Sequence, residues 1–267
     1  MSFTVSSLHI YPVKSCRGID LTSSNIDSRG LRHDRSWLII DNDGVAITQR
    51  DVRQLALVTT RIVDDQTLSL EFDGQPGLEI RRNQAGNRCK AIVWDDECDA
   101  VEQGDEAARW FTKITGKPSR LVIMADEFVR PVHQKKVEGD FRVGFADSHP
   151  LLIISQASLD ELNSRLDTAV PMNRFRPNVV IDGAEPFAED SWKQIKIAET
   201  LFDVTKPCAR CVMVSIDQSN AEGSKEPLKT LSTYRTVGNK VMFGQNMVHH
   251  SEGRISVGDK LEVISKA

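Results

Sequence analysis

No apolar run in this 267-residue sequence approaches the roughly 20 residues that cross a bilayer as a helix. The first residues, Met1-Ser2-Phe3-Thr4, lack the basic stretch and apolar core of a secretory leader. Both absences lead to the expectation of a cytoplasmic protein with no membrane attachment. An excess of positive charge is missing too: 34 Lys and Arg against 38 Asp and Glu leave a formal net charge of −4, so no nucleic-acid polymer is expected as a partner. The five cysteines follow no framework of regular spacings, which argues against a disulfide-stapled scaffold and fits thiols kept reduced. Internal repeats and low-complexity linkers are also lacking.

What is present is an ordinary globular composition, 40% hydrophobic and 27% charged, at a length that buries a sizeable core in one large or two smaller domains. The first two-fifths reads as short strands separated by turns: residues 8–13, 36–40 before the turn Asp41-Asn42-Asp43-Gly44, the period-two set Leu68, Leu70 and Phe72 closed by Asp73-Gly74, and residues 91–94. Ala107, Ala108, Phe111 and Ile114 at helical spacing predict a helix over 105–115, stopped by Gly116-Lys117-Pro118. The second half begins with an apolar strand at 121–124, passes a charged loop around Lys135-Lys136, and reaches a strand at 151–154. A helix follows, with Ser155 or Ser158 as its cap and Leu159, Leu162 and Leu166 as its buried stripe. Strands are expected again at 178–181, 195–197, 201–204 and 212–216. Many short strands with few helices favour a β-barrel core over a doubly wound parallel sheet. The chain is divided near Lys117-Pro118-Ser119, into residues 1–119 and 120–265.

The segment Lys206-Pro207-Cys208-Ala209-Arg210-Cys211 carries the chemistry. Two thiols three positions apart can be a dithiol redox pair, half of a zinc site, a source of one thiolate ligand for a soft metal, or small buried side chains at a turn. Zinc wants four Cys or His ligands, and Cys16, Cys89 and Cys98 are scattered singly, which leaves only His249 and His250 as complements. A thioredoxin-like pair opens a helix, whereas the β-branched run after Cys211 reads as a strand. Cations also cluster where strands meet turns: Lys14-Ser15, Arg32-His33-Asp34-Arg35 and Arg174-Phe175-Arg176-Pro177-Asn178. Each alone is read as a surface cation or strand-end ion pair. Together they suggest one anion-binding pocket, completed by Ser15 and Asn178.

Ile10-Tyr11-Pro12-Val13-Lys14-Ser15-Cys16, Leu31-Arg32-His33-Asp34-Arg35, Phe175-Arg176-Pro177-Asn178, Lys206 to Cys211, and Phe243-Gly244-Gln245-Asn246 occur in the order found in MOSC-domain proteins, named for the molybdenum cofactor sulfurase C-terminal domain. Over nearly its whole length the sequence resembles most the amidoxime-reducing components and their bacterial relatives within that superfamily. The resemblance implies a mixed α/β, β-rich fold, with an N-terminal MOSC β-barrel-like region followed by a MOSC β-barrel core. It implies a molybdenum cofactor (Mo-molybdopterin) with Cys211 as metal ligand and catalytic centre, and Cys208 as a structural neighbour. Lys14, Ser15, Arg35 and Arg176 would hold the anionic pterin, and Asp147-Ser148-His149 matches a further cofactor-contacting turn, although His149 replaces an expected small hydroxyl residue. Asn178, Arg210 and Asn246 complete the set, and Arg210 with Lys206 would favour a thiolate.

The implied activity is reduction of small N-hydroxylated compounds, such as amidoximes, hydroxylamines and N-hydroxylated bases. No C-x4-C-x2-C run announces an iron-sulfur cluster, so electrons are expected from a separate ferredoxin, flavoprotein or cytochrome. The competing expectations are a MOSC module that carries sulfur or cofactor without turnover, and a cofactor-free dithiol protein.

Overall fold

The β-branched runs of the second half cannot bury both faces in an open sheet, and they close on themselves. A computed structural model of the chain describes residues 3–132 and 139–266. The charged stretch around Lys135-Lys136 lies outside the described residues. Leu151–Ser155, Val179–Asp182, Phe3–Ile10, Lys260–Lys266, Trp192–Ile197, Thr200–Arg210 and Lys240–His249 pair in that order, and the last pairs back to the first through Leu152↔Asn246. The result is a closed seven-strand barrel, which leaves none of these strands as a free edge. Its interior is filled by Leu8, Ile153, Val179, Ile195, Phe202 and Met247, all fully buried.

One pair in the barrel, Leu151–Ser155 with Val179–Asp182, is parallel. Parallel neighbours need a crossover, and the expected helix supplies it over Gln156–Asn163. Ser155 caps that helix, its Oγ accepting from Ser158 N at 3.1 Å. Buried Glu189 accepts from Ser155 N at 3.1 Å and from Ser158 Oγ at 2.9 Å, while burial pushes its carboxyl up.

A second sheet holds Trp37–Ile40, Arg120–Met124, Asp96–Glu102 and Arg88–Val93 in that order. Alternation sends Trp37, Ile39, Leu121 and Ile123 to one core, with Trp110 and Phe111 of the helix Asp105–Thr115. Leu38, Ile40, Val122 and Met124 go to the opposite face, with Phe145. That helix runs over the expected residues and ends at Gly116 in the left-handed region (φ 70°), whose N–H bonds to Thr112 O. The two halves exchange strands across residue 119: Phe3–Ile10 belongs to the barrel, and Arg120–Met124 belongs to the N-terminal sheet.

One expected strand is corrected. Residues 212–215 form a 3₁₀ turn, Val212–Ser215, because the barrel strand stops at Arg210 and the turn drops Val214 into a cluster with Phe175, Leu231 and Phe243. Tertiary burial of one side chain overrides the β propensity of the run.

Gly244 lies opposite the irregularity between Pro207 and Ala209, at φ 77°. A Cβ there would meet Ile154 Cγ1 at 2.6 Å and the Ile153 carbonyl at 3.0 Å. Gly244→Ala should therefore lower stability by about 1–3 kcal/mol. Gly74→Ala, at φ 78° but with nothing within 4 Å of its Cβ, should cost less in the same urea titration.

Candidate functional site

Three non-glycine residues in the left-handed backbone region, Ser15 (φ 71°), Arg35 (φ 46°) and Arg176 (φ 54°), converge on one cavity of about 390 Å³. Such conformations are costly and cluster at functional sites. Ten residues drawn from the sequence motifs line this cavity, Lys14, Ser15, Arg35, Asp147, Ser148, Arg176, Asn178, Arg210, Cys211 and Asn246, whereas Arg32 and His33 of the cation cluster do not, and Arg32 pairs with Asp65 at 3.0 Å. The lining also includes Arg50, Arg174, Lys206 and Lys240. Lys14, Arg35, Arg50, Arg174, Arg176, Lys206, Arg210 and Lys240 thus make eight cations, against Asp147 as the one carboxylate among the described lining residues.

The N-terminal cations are braced by backbone and ring contacts. Lys14 Nζ donates to Phe145 O at 2.7 Å and to Asp147 Oδ1 at 2.5 Å. Burial pushes the Lys14 ammonium down against the pull of Asp147. Partial desolvation opposes ionisation of Asp147, but the Lys14 ammonium, then Arg50 and the Trp94 N–H, outweigh it and hold the carboxyl well below its usual range. Arg35 donates to both oxygens of buried Asp34, at 2.8 and 2.7 Å, and Asp34 also accepts from Tyr11 N. The guanidinium groups of Arg35 and Arg176 both lie over the Tyr11 ring, at 4.2 and 4.1 Å from its centre.

Arg176 donates to the Cys16 carbonyl at 2.8 Å and has no carboxylate partner among the described residues. Burial, then neighbouring Arg35, lowers its pKa to about 10. Asn178 accepts from Leu152 N at 3.1 Å and from Arg35 at 3.3 Å, and donates to His9 O at 3.2 Å, tying the barrel to the cation cluster. Ser15 is 2% exposed, yet its Oγ has no hydrogen-bond partner. A buried hydroxyl left in that state suits a ligand oxygen.

The cysteines approach from the barrel side. Thr200–Arg210 pairs with Lys240–His249 through Ala209↔Met242 and Arg210↔Val241, and ends at Cys211, the half-buried residue that opens the 3₁₀ turn. Asn246 donates to the carbonyls of Lys206 and Pro207, at 3.3 and 3.4 Å, and so steadies the strand that carries the thiols. The Arg210 guanidinium donates to Phe175 O at 2.6 Å and to Cys208 Sγ at 3.0 Å. Its contact is therefore with the first sulfur, where electrostatic help for Cys211 was expected. Among the described residues no three His, Cys, Asp or Glu side chains converge as a metal site, so a metal bound by Cys211 would draw its other ligands from a non-protein group.

Arg50, Thr48 and Lys240 escaped the sequence reading. Lys240 is an isolated lysine that the register of its strand, with Val241 opposite Arg210, brings to the rim. Thr48-Gln49-Arg50 offered one signal, a polar run that turns inward: Gln49 is fully buried, donating to Ser15 O at 2.6 Å.

The MOSC N-terminal beta barrel domain profile matches residues 2–118 and the MOSC domain profile matches residues 140–262. The chain belongs to the MOSC family. It is similar to mitochondrial amidoxime-reducing component 1 of Homo sapiens, with 34% identity covering 98% of this chain and 83% of that protein. Identity is 33% to mitochondrial amidoxime reducing component 2 of Bos taurus, covering 87% of this chain and 72% of that one. The molybdenum cofactor sulfurase of Danio rerio is 31% identical over 94% of this chain, which spans 32% of the sulfurase. No helix among the described residues of this MOSC protein is long and apolar enough to cross a membrane.

His149, in place of the expected hydroxyl residue, is 5% exposed, with Nδ1 2.9 Å from Ser148 Oγ and Nε2 unpartnered. Burial, then the Lys206 charge, lowers its pKa from the usual 6.5 to about 3. The unfolded chain therefore binds the extra proton first. Stability from this group is fully present above pH 6.5 and is lost as the pH falls towards about 3. Urea midpoints of the native protein should fall more steeply between pH 6.5 and pH 4 than those of His149→Asn.

Proposed function

We propose that this MOSC protein binds a molybdenum cofactor through Cys211 and reduces small N-hydroxylated compounds, with electrons from a separate redox protein of ferredoxin, flavoprotein or cytochrome type. The observation that carries the reading is the cavity charge, eight cations to one lining carboxylate with a half-buried thiol at the edge. Of the eight, Arg35 and Arg174 pair with carboxylates behind the lining, Asp34 and Asp217. So many cations lining one cavity need an anion. A phosphorylated pterin fits this environment, and the unpartnered Ser15 Oγ fits a ligand oxygen. The names of the amidoxime-reducing relatives favour the substrate class.

Lys14, Ser15, Arg35, Arg176 and Asn178 would hold the anionic pterin, and Cys211 would supply the soft thiolate a sulfur-rich metal centre prefers. When bound, the cofactor supplies two-electron oxygen-atom chemistry. An amidoxime then takes up two electrons and two protons, its N–O bond breaks, and an amidine and water leave. The chain's own part is to bind and orient. Arg176 and Arg35 stay fixed on Tyr11, and Asn246 holds the strand that presents Cys211. His149, neutral near pH 7, adds no further cation to the cavity.

Similarity to a molybdenum cofactor sulfurase supports a second reading, a carrier of cofactor or sulfur without turnover. Both readings use Cys211. In protein purified from a cofactor-competent host, Cys211→Ala should lose most of its molybdenum and at least about 100-fold of amidoxime reduction, whereas Cys208→Ala should keep most of its metal. Elemental analysis checks the first outcome and an assay with a chemical reductant checks the second. Full metal and activity in Cys211→Ala would sink both readings. Bound cofactor with no turnover across amidoximes and hydroxylamines would favour the carrier.

A further inference from the structure

Val93↔Asp96 closes the hairpin between Arg88–Val93 and Asp96–Glu102, leaving Trp94 and Asp95 as a two-residue loop. Such loops favour Asn or Gly at positions of positive φ, yet Trp94 takes φ 58° and is 59% exposed. The fold accepts both backbone strain and an exposed indole at this point.

The contacts of Trp94 lead to the cavity. Its Nε1 donates to Asp147 Oδ1 at 3.2 Å, and the Arg50 guanidinium lies 4.5 Å from its ring centre. Arg50 in turn sits 3.6 Å from Asp147 Oδ2. Arg50 and Asp147 both line the cavity, and the exposed indole, outside the lining itself, adjoins its rim through these two contacts. The hairpin belongs to the N-terminal sheet, while Asp147 follows the described Phe145 on the way into the barrel. An indole face beside a carboxylate already holds one planar N–C–N group here, the guanidinium of Arg50. An amidoxime has the same planar N–C–N frame without the charge, and its stacking on tryptophan rests on the two flat faces.

We propose that Trp94 is a specificity-determining residue: its exposed indole flanks the cavity mouth, and planar N-hydroxylated substrates stack on it with Asp147 beside it. The inference rests on the reductase reading for its kinetic arm only. Trp94→Ala should lower the ratio of kcat/KM for benzamidoxime to that for N-methylhydroxylamine about tenfold, chiefly through KM. Trp94→Phe, which keeps an aromatic face, should stay within about threefold of the native ratio. Both variants should hold molybdenum and pterin at the native level. Equal losses on the two substrates, an unchanged ratio in Trp94→Ala, or a fall in cofactor content that accounts for the loss would overturn the assignment and leave Trp94 as a brace for Arg50.

A second readout needs no turnover. Trp37, Trp110 and Trp192 are 1%, 6% and 3% exposed, so acrylamide quenching reports mainly on Trp94. Benzamidoxime should shield the native protein's fluorescence from acrylamide at concentrations where N-methylhydroxylamine does not. If the native protein reduces neither substrate, the reductase reading fails and this arm alone decides: shielding sustains the planar-ligand site, and its absence removes it.

Discussion

The cavity holds more positive charge than its own carboxylate can balance, and the surrounding structure is arranged to tolerate that. A buried cation without an anion is expensive, and the protein lowers the cost by spreading contacts over neutral groups. Arg176 leans on a carbonyl and the Tyr11 ring, Lys14 on the Phe145 carbonyl, and Arg210 on the Phe175 carbonyl. Arg35 pairs with buried Asp34, which is itself pushed up by burial against the opposing pull of Arg35, and Arg174 pairs with Asp217 at 2.7 Å. The residual charge is what an anionic cofactor would neutralise, so binding would relieve a strain already present in the fold.

The barrel is what lets those cations be held. Closure fixes the register between Thr200–Arg210 and Lys240–His249, hence the position of Cys211 relative to Met242 and Lys240. The first strand of the chain enters that barrel before the backbone turns out through Tyr11 and Lys14. Lys14, Ser15 and Arg35 are therefore anchored to the element that carries Asn178, and Asn178 hydrogen-bonds both His9 and Arg35. Positive φ at Ser15, Arg35 and Arg176 is tolerable because tightly packed neighbours, among them Val13, Cys16 and Phe175, leave the backbone no looser alternative.

Much of this was legible in the sequence where a local pattern coincided with a local cause. The helix at 105–115 has periodic apolar residues and a glycine stop, and both act in the structure as the pattern implies. The cations around Arg35 and Arg176 could be grouped from the sequence because several occur at strand ends together, and the family motifs drew in Asp147, Ser148 and Asn246; Arg35, Arg176 and these three line one cavity. The run at 212–216 misled because its β-branched composition is strand-like, while its conformation is set by Val214 packing into the Phe175 and Phe243 cluster. Arg50, Lys240 and Trp94 belong to no motif. They reach the cavity rim through contacts distant in sequence, Trp94 and Arg50 with Asp147 and the strand of Lys240 with that of Arg210, which no local window contains.

The two cysteines show the same division between local and long-range cause. Their spacing treats them alike, and in a strand residues three apart point to opposite faces. An irregularity in pairing lies between Pro207 and Ala209, and the strand ends before Cys211. Cys208 packs partly into the Phe175 and Phe243 cluster and takes the Arg210 guanidinium, whereas Cys211 caps the turn that follows. Both thiols line the cavity, but Cys211 stands where the strand lets go of the barrel, while the Cys208 sulfur already takes the Arg210 guanidinium. The two thiols thus differ in setting, and that difference has a physical origin in the end of one β-strand.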